Sequence, residues 1–328
     1  MKKILVLFTG GTIGSNSDNG VINVSKNMGT ELINAYCENF HTDVKFECRQ
    51  ILNILSENIL FPHWERLIEI LCGVDCENYS GIIIAHGSDT LCYTSALIGM
   101  FFRHIEIPVY IIASNRPINE KGSNGLFNFA GAVNQIIESE YNGVFTLYEK
   151  VYMPTRIMPA DHYCDRFHSF GEDSENEFTL FRGISEKALR KKREKLFDKP
   201  IEFTNHIMKI YGYPGIDFSQ FNPAGRTPAV LYVPYHSGTA CTTTKYGEQY
   251  SLCEFIKKCL INDVKVYICG LKRTENMYET LHKIIETGAI PLYNISDVSA
   301  YMKLLIAYNQ TDYPVGEIMR KNLYFEIV

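Results

Sequence analysis

Short, wholly apolar runs that end on glycine turns alternate with stretches of helical apolar spacing along most of the chain. Residues 4–8 (Ile-Leu-Val-Leu-Phe) run without a polar break into Thr9-Gly10-Gly11, and residues 81–85 repeat the pattern into His86-Gly87. Runs of this kind fit strands covered on both faces, because a half-solvated strand would alternate apolar and polar positions. Residues 108–113 predict a third strand, and residues 88–102 and 125–137 predict helices between and after them. Beyond residue 206 the alternation restarts, with strands predicted at 207–211, 229–233, 264–269 and 290–293. Helices are predicted there at 252–261, 277–286 and 298–307. Alternating strands and helices imply α/β architecture with a parallel sheet in each half. Between the halves, Glu186 to Lys199 forms a conspicuous charge run. A solvated helix or linker is its usual meaning, and a basic docking surface is the alternative. The expected organisation is a larger N-terminal domain over 1–185 carrying the site, a linker over 186–205, and a smaller C-terminal α/β domain over 206–328.

Composition narrows the class without naming a chemistry. The chain has 328 residues, 46% hydrophobic and 21% charged, with a formal net charge of -5. This is enough apolar material for two packed cores and too much for a disordered or fibrous chain. Mild acidity argues against nucleic-acid binding, which needs cations to replace condensed counterions. No stretch approaches the roughly 18 apolar residues of a membrane span, and the first apolar run is shorter than the roughly 7–15 residue core of a secretion signal. A cytoplasmic protein with no membrane partner is expected. The ten cysteines include no CxxC pair, which suits reduced thiols in a core.

Two turns that follow strands carry the candidate chemistry, since ligands of parallel sheets sit beyond the carboxyl ends of the strands. The first, Thr9-Gly10-Gly11-Thr12-Ile13-Gly14, brackets two glycines with hydroxyls, so that a nucleophile and backbone N–H groups can lie side by side. The second, His86-Gly87-Ser88-Asp89-Thr90, offers a carboxylate for an amino group at the entry to a helix. Ser88 could equally be a helix cap and Asp89 a first-turn acid. Together the turns describe a pocket for a small zwitterion with a hydroxyl near its carbonyl. The loop Asp161 to His168 is rich in titratable groups, of which His162 or Tyr163 could serve as a base, although a polar surface loop is the commoner meaning. Its spacing fits no familiar metal-ligand pattern, and no metal is expected. Residues 233–239 carry a histidine and two hydroxyls after a strand and are read as a loop facing another subunit. Trp64, the single tryptophan, is read as packing.

On these residues the chain resembles the bacterial-type L-asparaginase family, in its cytosolic form. The likeness rests on Thr-Gly-Gly-Thr-Ile-Gly after the first strand and His-Gly-Ser-Asp-Thr-Leu after the later one. Ser56-Glu57-Asn58, Asn115-Arg116-Pro117, residues 124–128 and the Met302-Lys303-Leu304-Leu305 helix extend it over nearly the full length. The resemblance implies the two-domain asparaginase-like fold, a homodimer or homotetramer, no cofactor, and hydrolysis of the side-chain amide of asparagine to aspartate and ammonia. It puts Thr12 on the attacking position and Ser88 on the second catalytic hydroxyl, beside Asp89. Gly11, Ser56, Glu57, Ser88 and Asp89 fall on substrate-binding positions, and Asn276 matches a residue sent toward a neighbouring subunit's site. Three positions depart from the family pattern. Ser88 stands where the family carries threonine, which keeps the hydroxyl and loses only a methyl. Residues 15–28 contain no tyrosine, with Val21 about where one belongs, and Met158 or Pro159 stands where a lysine is expected. Three readings therefore stay open: an asparaginase-like amidohydrolase, an amino-acid-binding or sensor protein, and a diverged hydrolase of a modified asparagine or peptide. An amidotransferase subunit acting on charged tRNA, which has a related domain, is ranked last, because this acidic chain starts directly at the catalytic strand.

Overall fold

A computed structural model describes the chain apart from residues 1, 12, 14, 19–20, 25–27, 41–42, 139–140, 172–183, 224 and 226. The chain divides into two compact units, one of residues 1–201 with 323–325, the other of residues 202–322 with 326–328. The division thus falls within the 186–205 stretch.

In the first unit, β1 (Lys3–Gly10) carries the run 4–8, and every residue from Ile4 to Gly10 is buried. It lies between β4 (Lys45–Ile54) and β5 (Gly81–Ala85), parallel to both, and can be apolar throughout because both of its faces are covered. The sheet continues through β6 (Pro108–Ile112) and β7 (Gly143–Tyr148), both buried throughout, and ends on antiparallel β8 (Lys150–Tyr152). Before β4 come the two-stranded ribbon β2 (Ser15–Asp18) and β3 (Val21–Val24) and helix α1 (Met28–Asn39). Helices α2 (Phe61–Cys72), α3 (Leu91–Phe101) and α4 (Gly125–Glu138) separate the later strands. Apart from Tyr93, all of α3 is buried, as its nearly unbroken apolar sequence requires of a helix covered all round. Edge strand β4 instead carries charge: the Glu47 carboxylate meets Lys3 at 2.7 Å and Arg49 at 2.6 Å. Hydrogen bonds from Lys3, Tyr79 and Arg49 hold that carboxyl down at about 2.

The charge run behaves as a strap across this unit. Only its first turn, α5 (Glu186–Leu189), is helical, capped by the Ser185 hydroxyl. Leu196 and Phe197 are buried, and Phe197 stacks on Phe101 with ring centroids 5.3 Å apart. Arg193 lies over the rings of Tyr324 and Phe325.

The second unit is a parallel four-stranded sheet in the order β12-β11-β10-β9, formed by β9 (Ile207–Tyr211), β10 (Ala229–Val233), β11 (Lys265–Leu271) and β12 (Ile290–Tyr293). Helices α6 (Leu252–Ile261), α7 (Glu279–Glu286), α8 (Asp297–Asn309) and α9 (Val315–Arg320) complete it. Its core gathers Val230, Leu252, Ile256, Cys259, Val266, Ile268 and Ile284. Lys303 of α8 and Glu326 are both essentially inaccessible and pair at 2.8 Å. The cysteines only partly fill cores. Cys92, Cys253, Cys259 and Cys269 are buried, whereas Cys37, Cys48, Cys72, Cys164 and Cys241 are exposed, so the expectation of core thiols is corrected for those five.

Candidate functional site

Three neighbouring parallel strands, β4, β1 and β5, deliver three turns to the same end of the first sheet. After β1 the backbone turns through Gly10 and Gly11, with φ of 105° and 74°. Only glycine enters that region without strain. The Gly11 N–H donates to the carbonyl of Ile54 at the end of β4, at 2.7 Å. A Cβ built on Gly11 would fall inside van der Waals contact with the backbone of Gly87, and one built on Gly87 would overlap the Ser56 side chain. The three turns therefore touch through atoms that any larger residue would push apart.

Polar contacts fix the second and third turns to each other. The Ser56 hydroxyl donates to Asp89 Oδ2 at 3.3 Å and accepts from the Asp89 N–H at 3.2 Å. The Thr90 hydroxyl donates to the Ser56 carbonyl at 3.0 Å. Ser56 is buried in a single helical turn, Ser56–Asn58, while its neighbour Glu57 is exposed. Ser88 is half-buried.

Behind the Gly87–Ser88 peptide lies a buried polar relay. The Trp64 indole N–H donates to Thr94 Oγ1 at 2.9 Å, and Thr94 Oγ1 meets His86 Nε2 at 3.0 Å. Thr94 spends its own proton on His86, so Nδ1 carries the imidazole hydrogen and donates it to the Gly87 carbonyl at 2.8 Å. Burial pushes His86 down to about 4, against a smaller upward pull from the Gly87 carbonyl, so the ring stays neutral at ordinary pH. Trp64 is packing, as its sequence context suggested, but it also anchors this relay. Neither His86 nor Thr94 was assigned a task from sequence. The signal was a buried histidine inside the second turn and a threonine eight positions on.

Thr12 lies outside the described residues. Gly11, Ser56, Ser88 and Asp89 come together in the first unit, with Glu57 beside Ser56. Asn276 belongs to the second unit, where it is exposed and its carbonyl accepts from the Thr274 hydroxyl at 2.6 Å. The position expected to carry a lysine is spanned by a loop closed by the bridge Ile157↔Ser169. At its base Arg156 is buried and donates through Nε to the Phe325 carbonyl at 2.7 Å. His162 and Tyr163 stand exposed at the tip, Tyr163 wholly so, and neither bonds Ser88 or Asp89. Among the described residues no group of three or more His, Cys, Asp or Glu side chains is placed to hold a metal ion. No described helix is long and apolar enough to cross a membrane. In residues 233–239 the Ser237 hydroxyl meets His236 Nε2 at 3.2 Å on the surface of the second unit.

The first unit thus places glycine turns, serine hydroxyls and a carboxylate at adjacent ends of parallel strands, the position where sheets of this kind bind small ligands. Comparison with known proteins gives the particular family. Residues 3–179 match the family model described as Asparaginase, N-terminal. The chain is 25% identical, over 99% of its length and 76% of the relative's, to a glutamyl-tRNA(Gln) amidotransferase subunit of Saccharolobus solfataricus. Two solved structures share the fold across the whole chain. The L-asparaginase of Thermococcus kodakarensis has a TM-score of 0.77 at 23% identity, covering 99% of both chains. L-Asparaginase I of Vibrio cholerae has a TM-score of 0.78 at 21% identity, covering 100% of this chain and 99% of that one. The chain belongs to the asparaginase family.

Proposed function

We propose that the protein hydrolyses the side-chain amide of asparagine or a close analogue, using the Thr12 hydroxyl as nucleophile. The observation that carries this reading is the convergence of Gly11, Ser56, Ser88 and Asp89 on one side of three touching turns. Asp89 and Ser56 receive the substrate's α-amine and α-carboxylate, and the Ser88 hydroxyl faces the reacting amide. Attack by Thr12 Oγ forms an ester and breaks the carbon–nitrogen bond, the hydroxyl proton leaving with the nitrogen as ammonia. Water then cleaves the ester, restores the Thr12 proton and releases the carboxylic acid. Glu57, longer than a small or amide side chain, projects beside Ser56 and tunes the choice of substrate.

A second reading rests on the match to an amidotransferase component over 99% of this chain. On that reading the protein releases ammonia beside a protein partner rather than alone. It gains weight from Met158 and Pro159, which supply no cation where the family pattern has lysine, so activation of the hydroxyl must come from elsewhere.

Purified protein incubated with L-asparagine, L-glutamine and D-asparagine, with Thr12→Ala as control, tests both. Ammonia release that vanishes in the variant supports the first reading. Release absent while asparagine still raises the melting temperature supports a binding role or a partner-dependent one. Neither release nor stabilisation overturns the amino-acid pocket.

A further inference from the structure

The second unit holds a cavity of about 660 Å3 that takes no part in the chemistry above. It exists because helix α8 packs on β9, β10 and β11, which leaves the corresponding side of edge strand β12 to the six-residue helix α9 and the chain end at Ile327. Its deeper wall holds Tyr267, Ile295 and Lys303, all buried, and Leu292 and Met319 extend the apolar surface. Its rim holds Lys265, Arg273 and Arg320, all exposed. Among the described residues none of these three pairs with a carboxylate, and no Asp or Glu lines the cavity. The nearby carboxylate, Glu326, is wholly buried and bound to Lys303. Arg273 lies over the Tyr293 ring, 5.4 Å from its centroid, which holds the guanidinium at the mouth.

A concave, mostly apolar space of this size with a few convergent polar groups is the usual form of a small-molecule site. Cations of one sign around an apolar floor select the ligand: water can solvate a free anion, but it leaves a flat apolar body unburied. We propose that this cavity is a second ligand site, which takes an organic anion with a flat ring body. A nucleoside monophosphate and an aromatic carboxylate share that chemistry. Rim cations hold the anion, and Tyr293, Leu292, Ile295 and Met319 bury the ring.

Titration of the full chain with the aromatic sulfonate 1-anilinonaphthalene-8-sulfonate, followed by fluorescence, tests the site against the uncharged N-phenyl-1-naphthylamine. The sulfonate is expected to saturate and to bind about tenfold more tightly than the neutral probe, as a small number of partly exposed charge pairs allows. The double reversal Arg273→Glu with Arg320→Glu is expected to weaken the sulfonate about tenfold while the melting temperature holds. Met319→Trp, which fills the cavity without changing charge, is expected to abolish binding of both probes. Displacement of the sulfonate by AMP identifies a phosphate site, and displacement by phenylpyruvate a carboxylate site. Sulfonate binding unchanged in both variants, a neutral probe that binds equally well, or displacement by neither anion overturns the proposal.

Discussion

His86 couples the frame of the candidate site to proton concentration, and the coupling can be worked from its surroundings. The ring is enclosed, its Nε2 accepts from Thr94 and its Nδ1–H is spent on the Gly87 carbonyl. Burial holds the folded-state value at about 4 against an ordinary 6.5. Between these limits the unfolded chain binds a proton that the folded chain refuses, so stability is fully present above 6.5 and declines as pH falls toward 4. At 1.36 kcal/mol for each tenfold change, that gap amounts to about 3 kcal/mol, an upper figure if the unfolded chain retains structure. The perturbation is His86→Gln, which keeps an amide able to bond but cannot titrate. The assay is urea unfolding of both proteins at steps from pH 7.5 to 4. The variant carries a constant offset from the altered relay, about 1–3 kcal/mol, and distant carboxylates cancel in the difference. Wild type is expected to lose about 3 kcal/mol relative to the variant across the window. A difference that stays flat from 6.5 to 4 refutes the buried, neutral ring.

Three further outcomes follow from other contacts. Gly11→Ala is expected to lose at least about 2 kcal/mol in thermal melts, since the new Cβ both strains a φ of 74° and strikes Gly87. The control Gly122→Ala, at a φ of 85° with open space around it, should lose only the backbone strain of about 1–2 kcal/mol. Lys303→Met alone is expected to cost about 3–5 kcal/mol, because it strands the buried Glu326 carboxylate, whereas Lys303→Met with Glu326→Leu should recover most of that loss in the same melts. Ser56→Ala removes a donor to Asp89 and is expected to raise KM for asparagine about tenfold with a smaller change in kcat.

How much of this was legible in the sequence depended on whether a residue's neighbours were local. The run 4–8 announced a central strand because both faces of β1 are covered, and α3 announced itself because it is apolar all round. Strand β4 gave no such signal. Lys45, Glu47 and Arg49 interrupt it, and it takes charges because it forms the edge of the sheet, where Glu47 finds Lys3 and Tyr79. The charge run was legible as charge but not as a strap, since Phe197 finds its stacking partner, Phe101, roughly a hundred positions away along the chain. The glycine turns could be read singly. That Gly11 meets Gly87, and Gly87 meets Ser56, depends on the lateral order β4-β1-β5, which no local pattern encodes.

The groups that fix the three turns are glycine backbone, hydroxyls, the Asp89 carboxylate and a neutral imidazole, and none of them is a cation that activates a nucleophile. Pocket geometry is therefore independent of the positions at Val21 and Met158–Pro159 where the chain departs from its family, and ligand binding and turnover should separate experimentally. On the proposed function, Thr12→Ala deletes the attacking oxygen but leaves Ser56, Ser88 and Asp89, so asparagine should still stabilise it, by about 2.7 kcal/mol at a concentration of a hundred times Kd. On the same proposal, Asp89→Asn removes the charge offered to the α-amine and should abolish that stabilisation, although Asn keeps the side-chain acceptor for Ser56. Melting curves of the two variants with and without asparagine decide the matter. Equal loss of the thermal shift in both would mean that Thr12 is part of the binding frame. Equal retention would remove Asp89 from it.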